Sequence, residues 1–201
     1  MYFIGTQANG AWAITTSEGI IVIEALFDYA AKDEIEGGLQ KLGLDPGQIK
    51  YLILTHAHDD HAGGAKYIQD AFRPRLVMGP KDWDVAEQNT RSPRPRRDIV
   101  AADGQKITLG DVTLTMYITP GHAPSTISLL LPVKDGGRTH LAMMWGGVSL
   151  SFSTPLDQLR AYVNSAERFQ DIVLKAGADT ILTNHTAHDK TFAKIEQLTN
   201  R

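Results

Sequence analysis

The chain of 201 residues contains no cysteine. This absence excludes disulfide bonds, thiolate nucleophiles, iron–sulfur clusters and zinc sites with cysteine ligands. Because proteins without cysteine occur both inside and outside the cytosol, the absence leaves the compartment open. Any metal site must therefore be built from histidine, aspartate and glutamate side chains.

The chain also lacks a net positive charge and long apolar runs. The formal net charge is −3, which provides no electrostatic basis for binding nucleic acid or an anionic membrane. The longest apolar run, residues 19–27, is interrupted by Glu24, and it is far shorter than the roughly 20 residues that a membrane-spanning helix needs. Residues 1–5 lack the basic and apolar segments of a signal peptide. We therefore expect a periplasmic location if a leader has been removed and a cytoplasmic one otherwise.

The hydrophobic pattern predicts one α/β domain over residues 1–201. Runs of β-branched and aromatic residues between turn residues predict strands at 2–4, 11–16, 20–26, 51–54, 75–78, 107–109, 112–119, 126–133, 140–145 and 180–182. Helical periodicity predicts helices at 28–41, 62–72, 82–88, 156–176 and 191–198. The strands form two groups that each close with a strand and a helix, which predicts two similar halves packed face to face with helices outside.

A dense group of metal-ligand residues follows the predicted strand 51–54. The segment reads His56-Ala57-His58-Asp59-Asp60-His61. In an extended segment His56 and His58 project to one side, whereas Asp60 and His61 lie where the chain turns into a helix and face a second point. These ligands suit one or two borderline metal ions, zinc first. The alternative is a polar loop rich in histidine by chance, which the density of the cluster disfavours.

Two further histidines follow predicted strands. His122 ends the turn Thr119-Pro120-Gly121-His122, and His185 ends the segment Thr183-Asn184-His185. Because loops that leave strand ends often carry the chemistry of α/β proteins, we expect these histidines to converge on the first cluster. His188 is an alternative ligand to His185, but His185 leaves its strand directly and is preferred.

These motifs resemble those of the metallo-β-lactamase superfamily, and the resemblance covers nearly the whole chain. It implies a four-layer αββα sandwich. It also implies two zinc sites, the first held by His56, His58 and His122 and the second by Asp60, His61 and His185. In this family a hydroxide between the metals attacks a carbonyl carbon, and Asp60 would both bind zinc and orient this catalytic hydroxide.

The chain departs from many hydrolases of this superfamily after the predicted strand 140–145. Glyoxalase II, lactonases and phosphodiesterases carry an aspartate there that bridges the two metals, whereas this chain has Gly146 and Gly147. Since a cysteine ligand is also absent, the resemblance is nearest to the third lactamase subclass, whose ligands are histidine and aspartate alone. Without a bridging carboxylate the second site is expected to be weaker, so either one or two zinc ions are expected.

Other residues near the expected site have more than one interpretation. Many family members have aspartate in place of Glu24, bonded beneath the metal-binding loop; Glu24 is either that partner or a surface carboxylate. The resemblance implies that Ser149 and Ser151 bind a substrate carboxylate, although a merely polar loop is the alternative. His188 is expected on the substrate side of the site.

The resemblance implies a zinc hydrolase that uses zinc-bound hydroxide to open the β-lactam amide bond. Alternatives on the same site are hydrolysis of another ester, lactone, thioester or phosphodiester, and a non-catalytic metal-binding module. An iron-containing redox site is disfavoured because such members normally carry extra carboxylates. The expected partner is a small-molecule substrate, with no nucleic acid and no membrane, and the sequence indicates no oligomeric state.

Overall fold

A computed structural model describes residues 1–199 of the chain as two mixed β-sheets with helices on their outer faces. The sheets face each other, which confirms the predicted αββα sandwich. Residues 200 and 201 of the predicted domain lie outside the described residues. No helix within residues 1–199 is both long enough and apolar enough to cross a bilayer.

The first sheet contains, in spatial order, β1 (Tyr2–Phe3), β2 (Trp12–Thr16), β3 (Gly19–Ile23), β4 (Ile49–Ile53), β5 (Arg75–Met78) and β6 (Ile99–Val100). Strands β1 to β3 pair antiparallel, and β3 to β6 pair parallel. The helical segments of this half are α1 (Asp28–Ala30), a π-helical segment (Ala31–Glu36), α2 (Gly37–Lys41), a 3₁₀ turn (Pro46–Gln48), α3 (Asp59–Ala62), α4 (Ala65–Phe72) and α5 (Pro80–Gln88).

The second sheet is formed by β7 (Lys106–Leu109), β8 (Val112–Ile118), β9 (Ile127–Asp135), β10 (Arg138–Met144) and β11 (Thr180–Leu182). These strands pair in chain order and antiparallel, except that β11 pairs parallel to β10 at one edge. The helices of this half are α6 (Leu156–Ala176), α7 (Thr186–Asp189) and α8 (Thr191–Thr199).

The side chains of β3 show how one strand serves two layers. Ile20 and Val22 pack in the cluster beneath the helices, whereas Ile21 and Ile23 pack in the cluster between the two sheets. Neighbouring side chains on a strand point to opposite faces, so a strand covered on both faces must be apolar throughout. Each fully buried side chain of this size contributes about 1.5–3 kcal/mol to the transfer free energy.

Most predicted elements are present, with shifted ends. Strands β5 and β11 and helix α6 have the predicted bounds, whereas β6, α7 and the 3₁₀ turn are not predicted and α3 overlaps the predicted helix 62–72 only at Ala62. The predicted strand 20–26 ends early because Glu24 and Leu26 adopt left-handed backbone conformations, with φ of 69° and 60°. Such conformations are uncommon for residues with side chains and occur often beside functional sites. In α6, the apolar positions Leu159 and Val163 remain exposed.

Candidate metal centre

His56, His58 and His122 converge into a group that we call the three-histidine subsite. Nε2 of His122 lies 3.1 Å from Nε2 of His56 and 3.2 Å from Nδ1 of His58. His56 is fully buried, whereas the ring of His58 is exposed. The nitrogens therefore face a common point that is closed beneath and open to solvent on one side, a geometry that could hold a metal ion.

Asp60, His61 and His185 form a second group, the aspartate subsite. Nε2 of His61 lies 3.1 Å from Nε2 of His185 and 3.2 Å from Oδ2 of Asp60. The ligand atoms of each group lie within 4.8 Å of one another. The ring centres of His56 and His61 are only 4.3 Å apart, so the two subsites are adjacent. The six predicted metal ligands are thus brought together.

The backbone explains why one short segment serves both subsites. His58 is still extended, with φ of −65° and ψ of 148°, and helix α3 begins at the next residue. The chain therefore changes direction between His58 and Asp60, as the spacing predicts. Buried Asp82 supports this segment because it accepts hydrogen bonds from the Ala57 N–H at 2.9 Å and from the N–H and hydroxyl of Ser125 at 2.7 and 2.8 Å.

Helix α6 holds the loop that carries His122. The side-chain amide of Gln158 donates to the carbonyl oxygen of Gly121 at 2.7 Å. The hydroxyl of Ser165 donates to the carbonyl oxygen of Pro120 at 2.7 Å. Residues seven apart lie on one face of a helix, so both donors reach the same loop. The position of His122 therefore depends on packing against a distant helix as well as on its own turn.

Glu24 lies beneath the metal-binding loop, so it is the expected partner of that loop and not a surface carboxylate. Its carboxylate is fully buried. It accepts hydrogen bonds from the N–H of Thr55 at 3.2 Å, from the Thr55 hydroxyl, and from the side-chain amide of Asn184 at 3.1 Å. Its Oε1 also lies 3.3 Å from Nδ1 of His61. The extra methylene relative to aspartate does not prevent these contacts.

The same carboxylate orients one histidine of each subsite. The single hydroxyl proton of Thr55 is donated to Glu24, so in the 3.0 Å contact between Thr55 Oγ1 and His56 Nδ1 the histidine is the donor. Nε2 of His56 is then left with a free lone pair toward the subsite. Nδ1 of His61 lies 3.3 Å from Oε1 of the Glu24 carboxylate, an ion-pair contact. Metal-binding histidines usually present their other N–H to an acceptor in this way.

The three-histidine subsite consists of neutral imidazoles at pH 7. Burial lowers the pKa of His56 well below its usual value, and the charges of neighbouring histidines lower it further. Burial also lowers the pKa of His58 and of His122. Neutral imidazole is the form that binds metal, so a metal ion entering this subsite at pH 7 has no proton to displace.

The aspartate subsite has a different protonation state. Burial raises the pKa of Asp60, but the hydrogen bond and charge of His61 and the charge of His185 outweigh it and bring the pKa to about 2. Burial lowers the pKa of His61, but the charge of Glu24 and the hydrogen bonds with Asp60 and Glu24 raise it to about 9. At pH 7 this subsite therefore contains a carboxylate and a proton on His61 that a metal ion must displace.

Asn9 also belongs to the site, although sequence reasoning missed it. Its side-chain amide donates to Oδ2 of Asp60 at 3.0 Å, and its backbone forms an isolated β-bridge with His185. Asn9 lies 51 residues from Asp60 in the chain. No local pattern around residue 9 indicates this contact, because it exists only once the first loop has packed against β11.

An open cleft of about 650 Å³ lies over both subsites, and it is lined by His58, Asp60, His122, Ser149, Leu150, Ser151, Ser153, Thr154, Pro155, Gln158 and His185. The cleft therefore includes the predicted substrate residues Ser149 and Ser151. Nδ1 of His122 contacts the carbonyl oxygen of Ser149. His188 is exposed on α7, with its ring centre 6.0 Å from that of His185, and it is not among the described residues that line the cleft.

Close packing occupies the position where many superfamily members carry the bridging aspartate. A Cβ atom added to Gly147 would lie 2.3 Å from Cβ of His122, and one added to Gly146 would lie 2.0 Å from the carbonyl oxygen of Ile127. Real Cβ atoms essentially never approach so closely. With this backbone, neither position can accept a side chain, so the absence of a bridging carboxylate is built into the site.

Comparison with solved structures places this fold among metallo-β-lactamases. The native FEZ-1 metallo-β-lactamase from Legionella gormanii has a TM-score of 0.89 and 22% identity, with 99% of this chain and 81% of that chain covered. BJP-1, a subclass B3 metallo-β-lactamase of Bradyrhizobium japonicum, has a TM-score of 0.78 and 27% identity, with 97% and 78% covered.

Comparison with curated proteins finds other hydrolases. A hydroxyacylglutathione hydrolase of Acidiphilium cryptum is 28% identical over 122 residues, which cover 61% of this chain and 44% of that protein. An acyl-coenzyme A thioesterase of Gallus gallus is 26% identical over 215 residues, which cover 92% and 74%. The match therefore spans less than half of the Acidiphilium protein.

The model of the metallo-beta-lactamase superfamily matches residues 7–136. This region includes the first hairpin, the segment from His56 to His61, and His122. The match covers more than half of the chain, and it agrees with the two-sheet architecture and the paired histidine groups. The chain belongs to the metallo-β-lactamase superfamily.

Proposed function

We propose that the protein is a metal-dependent hydrolase that binds one or two zinc ions in the two subsites and opens the amide bond of a β-lactam. The convergence of six nitrogen and oxygen ligand atoms in two adjacent groups, at the floor of an open cleft, carries this proposal. The donor set fits zinc, which prefers imidazole and carboxylate ligands when cysteine is absent. Zinc bound there would supply a nucleophilic hydroxide near neutral pH and a Lewis acid for the carbonyl oxygen.

The residues of the chain then have separate roles. Asp60 stays ionised at neutral pH, so its carboxylate can accept a hydrogen bond from the attacking water and orient it. His56, His58 and His122 would hold one metal ion at the subsite that is open to the cleft. The hydroxyls of Ser149 and Ser151, which line the same cleft, can donate hydrogen bonds to a substrate carboxylate.

The ligand set and the glycine pair favour a β-lactam substrate. The set consists of histidine and aspartate alone, and Gly146 and Gly147 leave no room for a bridging carboxylate. The solved structures of similar fold include a subclass B3 metallo-β-lactamase of 27% identity. The carboxylate of a β-lactam antibiotic can accept hydrogen bonds from hydroxyls such as those of Ser149 and Ser151, which line the cleft.

Thioester hydrolysis is the second candidate, because the relatives found by sequence include a thioesterase that matches 92% of this chain. A thioester presents the same type of carbonyl carbon to the metal subsites. The opened bond would be C–S rather than C–N, and a thiolate leaves without the protonation that an amide nitrogen requires.

A substrate panel separates these functions. Zinc-loaded protein should hydrolyse nitrocefin and a carbapenem, and a chelator should abolish the turnover. Hydrolysis of an acyl thioester or a lactone without β-lactam turnover would favour the second candidate. Full zinc loading with no hydrolysis of any of these substrates would contradict the proposed enzyme and favour a metal-binding module. The variant His122→Ala should lower every zinc-dependent activity by roughly a thousandfold.

A further inference from the structure

Asn9 is the buried side chain that contacts the aspartate subsite from the first loop of the chain. Its carboxamide nitrogen lies 3.0 Å from Oδ2 of Asp60 and 3.4 Å from Nδ1 of His185. Asn9 is only 7% exposed. A buried polar group of this kind requires a partner, and its partners here are two predicted metal ligands.

The chemistry of the partners decides which contact matters. An ionised carboxylate can only accept hydrogen bonds, so the NH₂ group of Asn9 must face Asp60. When Nε2 of His185 points into the subsite as a ligand, Nδ1 carries the proton and cannot accept from the same NH₂ group. The contact with Asp60 is therefore the hydrogen bond, and the contact with His185 is packing.

The oxygen that Asn9 holds is the one that faces the subsite. Oδ2 of Asp60 lies 3.2 Å from Nε2 of His61 and 3.6 Å from Nε2 of His185. Asp60 is partly exposed at the cleft, so its carboxylate can turn toward solvent if nothing restrains it. The hydrogen bond from Asn9 opposes this rotation.

The loop of Asn9 is itself fixed in place. The N–H of Asn9 donates to the hydroxyl of Thr6 at 3.0 Å, and the N–H of Gly10 donates to the carbonyl oxygen of Asn184 at 2.8 Å. On the other side, the N–H of Thr186 donates to the carbonyl oxygen of Ala8 at 3.2 Å. These backbone hydrogen bonds lie on either side of His185, so they hold the loop of Asn9 against the segment that carries His185.

We propose that Asn9 is a positioning residue for the aspartate subsite, where its amide fixes the Asp60 carboxylate in the orientation that binds the second metal ion. This inference rests on the proposed zinc site. Asn9 does not touch the three-histidine subsite in any contact that the described residues show, so its effect is confined to the second ion. Partners of this kind typically change metal affinity by about 10–100-fold.

Zinc titration of the metal-free protein against a chromophoric chelator tests the proposal. The variant Asn9→Leu keeps the size of the side chain but removes the donor. We expect it to weaken the second binding step by roughly tenfold or more and to leave the first step unchanged. Gln7→Ala is the matched control, because Gln7 is an exposed residue of the same loop, and it should change neither step.

The outcomes distinguish the alternatives. Asn9→Gln retains the amide donor and should recover part of the second-step affinity. Equal second-step affinities in the wild type and Asn9→Leu would overturn the role of Asn9 alone. A parallel loss in both steps, or loss of folding measured by thermal unfolding, would show that Asn9 is only structural. Failure of the wild type to bind zinc would refute the proposed site itself.

Discussion

The two subsites share a floor and a cleft but differ in charge. The three-histidine subsite offers neutral imidazoles, whose pKa values burial lowers. The aspartate subsite offers a carboxylate, but it also contains His61, whose pKa is raised to about 9 by Glu24 and Asp60 against the effect of burial. At pH 7 a metal ion bound in the first subsite would meet mainly neutral imidazoles, whereas one bound in the second would have to displace the proton of His61.

The difference shows that the groups beneath two neighbouring subsites can give their histidines different protonation states. Glu24 contacts His61 directly at 3.3 Å, whereas it reaches His56 only through the hydroxyl of Thr55. A direct carboxylate stabilises a protonated imidazole, and a neutral hydroxyl does so far less. The glycine pair leaves no room for a bridging carboxylate, so the aspartate subsite has no further acidic ligand from this loop. We therefore expect the three-histidine subsite to fill first at neutral pH.

The largest effects are expected from removing one ligand of each subsite. His122→Ala should lower kcat/KM by roughly a thousandfold, since the lost metal supplies several kcal/mol of charge stabilisation. His185→Ala should cost less, on the order of ten- to a hundredfold, if the second ion is the weaker and auxiliary one. Steady-state kinetics at saturating zinc, with metal content measured on the same samples, checks both. Equal losses of kcat/KM in the two variants would contradict the claim that the two subsites are unequal.

An intermediate effect is expected from Thr55→Val. Valine keeps the shape but removes the hydroxyl to which His56 donates. The first zinc-binding step should weaken by about tenfold. The second should weaken less, because the hydroxyl also donates to Glu24 but Glu24 keeps its direct contact with His61; this is the reverse of the pattern expected for Asn9→Leu. Zinc titration of both variants measures whether they affect opposite binding steps. A loss confined to the second step in Thr55→Val would contradict the assignment of Thr55 to the three-histidine subsite.

The smallest effect is expected from Ser151→Ala, which concerns substrate and neither subsite. Loss of one hydrogen bond to the substrate should raise KM for a carboxylate-bearing substrate by roughly three- to tenfold, with kcat and zinc affinity unchanged. A substrate without the carboxylate is the control, and its KM should not respond. If KM for the two substrates rises equally, Ser151 does not recognise the carboxylate.

Local pattern predicts the fold and the ligand-rich segment well. The segment from His56 to His61 is contiguous, so its spacing alone indicates two directions of projection. The bounds of β5, α6 and β11 are correct because a turn or a glycine closes each pattern. The αββα architecture follows from the resemblance and from the division of the strands into two groups.

Features that depend on distant packing are not predictable from local pattern. The Asn9 amide donates directly to Asp60, which is 51 residues away in the chain, and the Asn9 backbone bridges to His185, which is 176 residues away. Strand β6 has two residues, too few for an alternating pattern to register. In α6 the apolar stripe predicts a buried face, but Leu159 and Val163 lie beyond the arc that the sheet covers. Periodicity identifies a helix without showing how much of its apolar surface is buried.

Zinc titration at pH 6.5 and pH 8.5 tests the central claim, two adjacent but unequal metal subsites. The metal-free protein would be titrated against a chromophoric chelator, with the chelator's own protonation corrected. Because burial lowers the pKa values of the first subsite's histidines below 6.5, they are mainly neutral at both pH values, and the first step should change much less than the second. The second step should tighten by roughly tenfold as His61 loses its proton, with the first ion's charge limiting the gain. A single binding step, or two steps with the same pH dependence, would contradict the account.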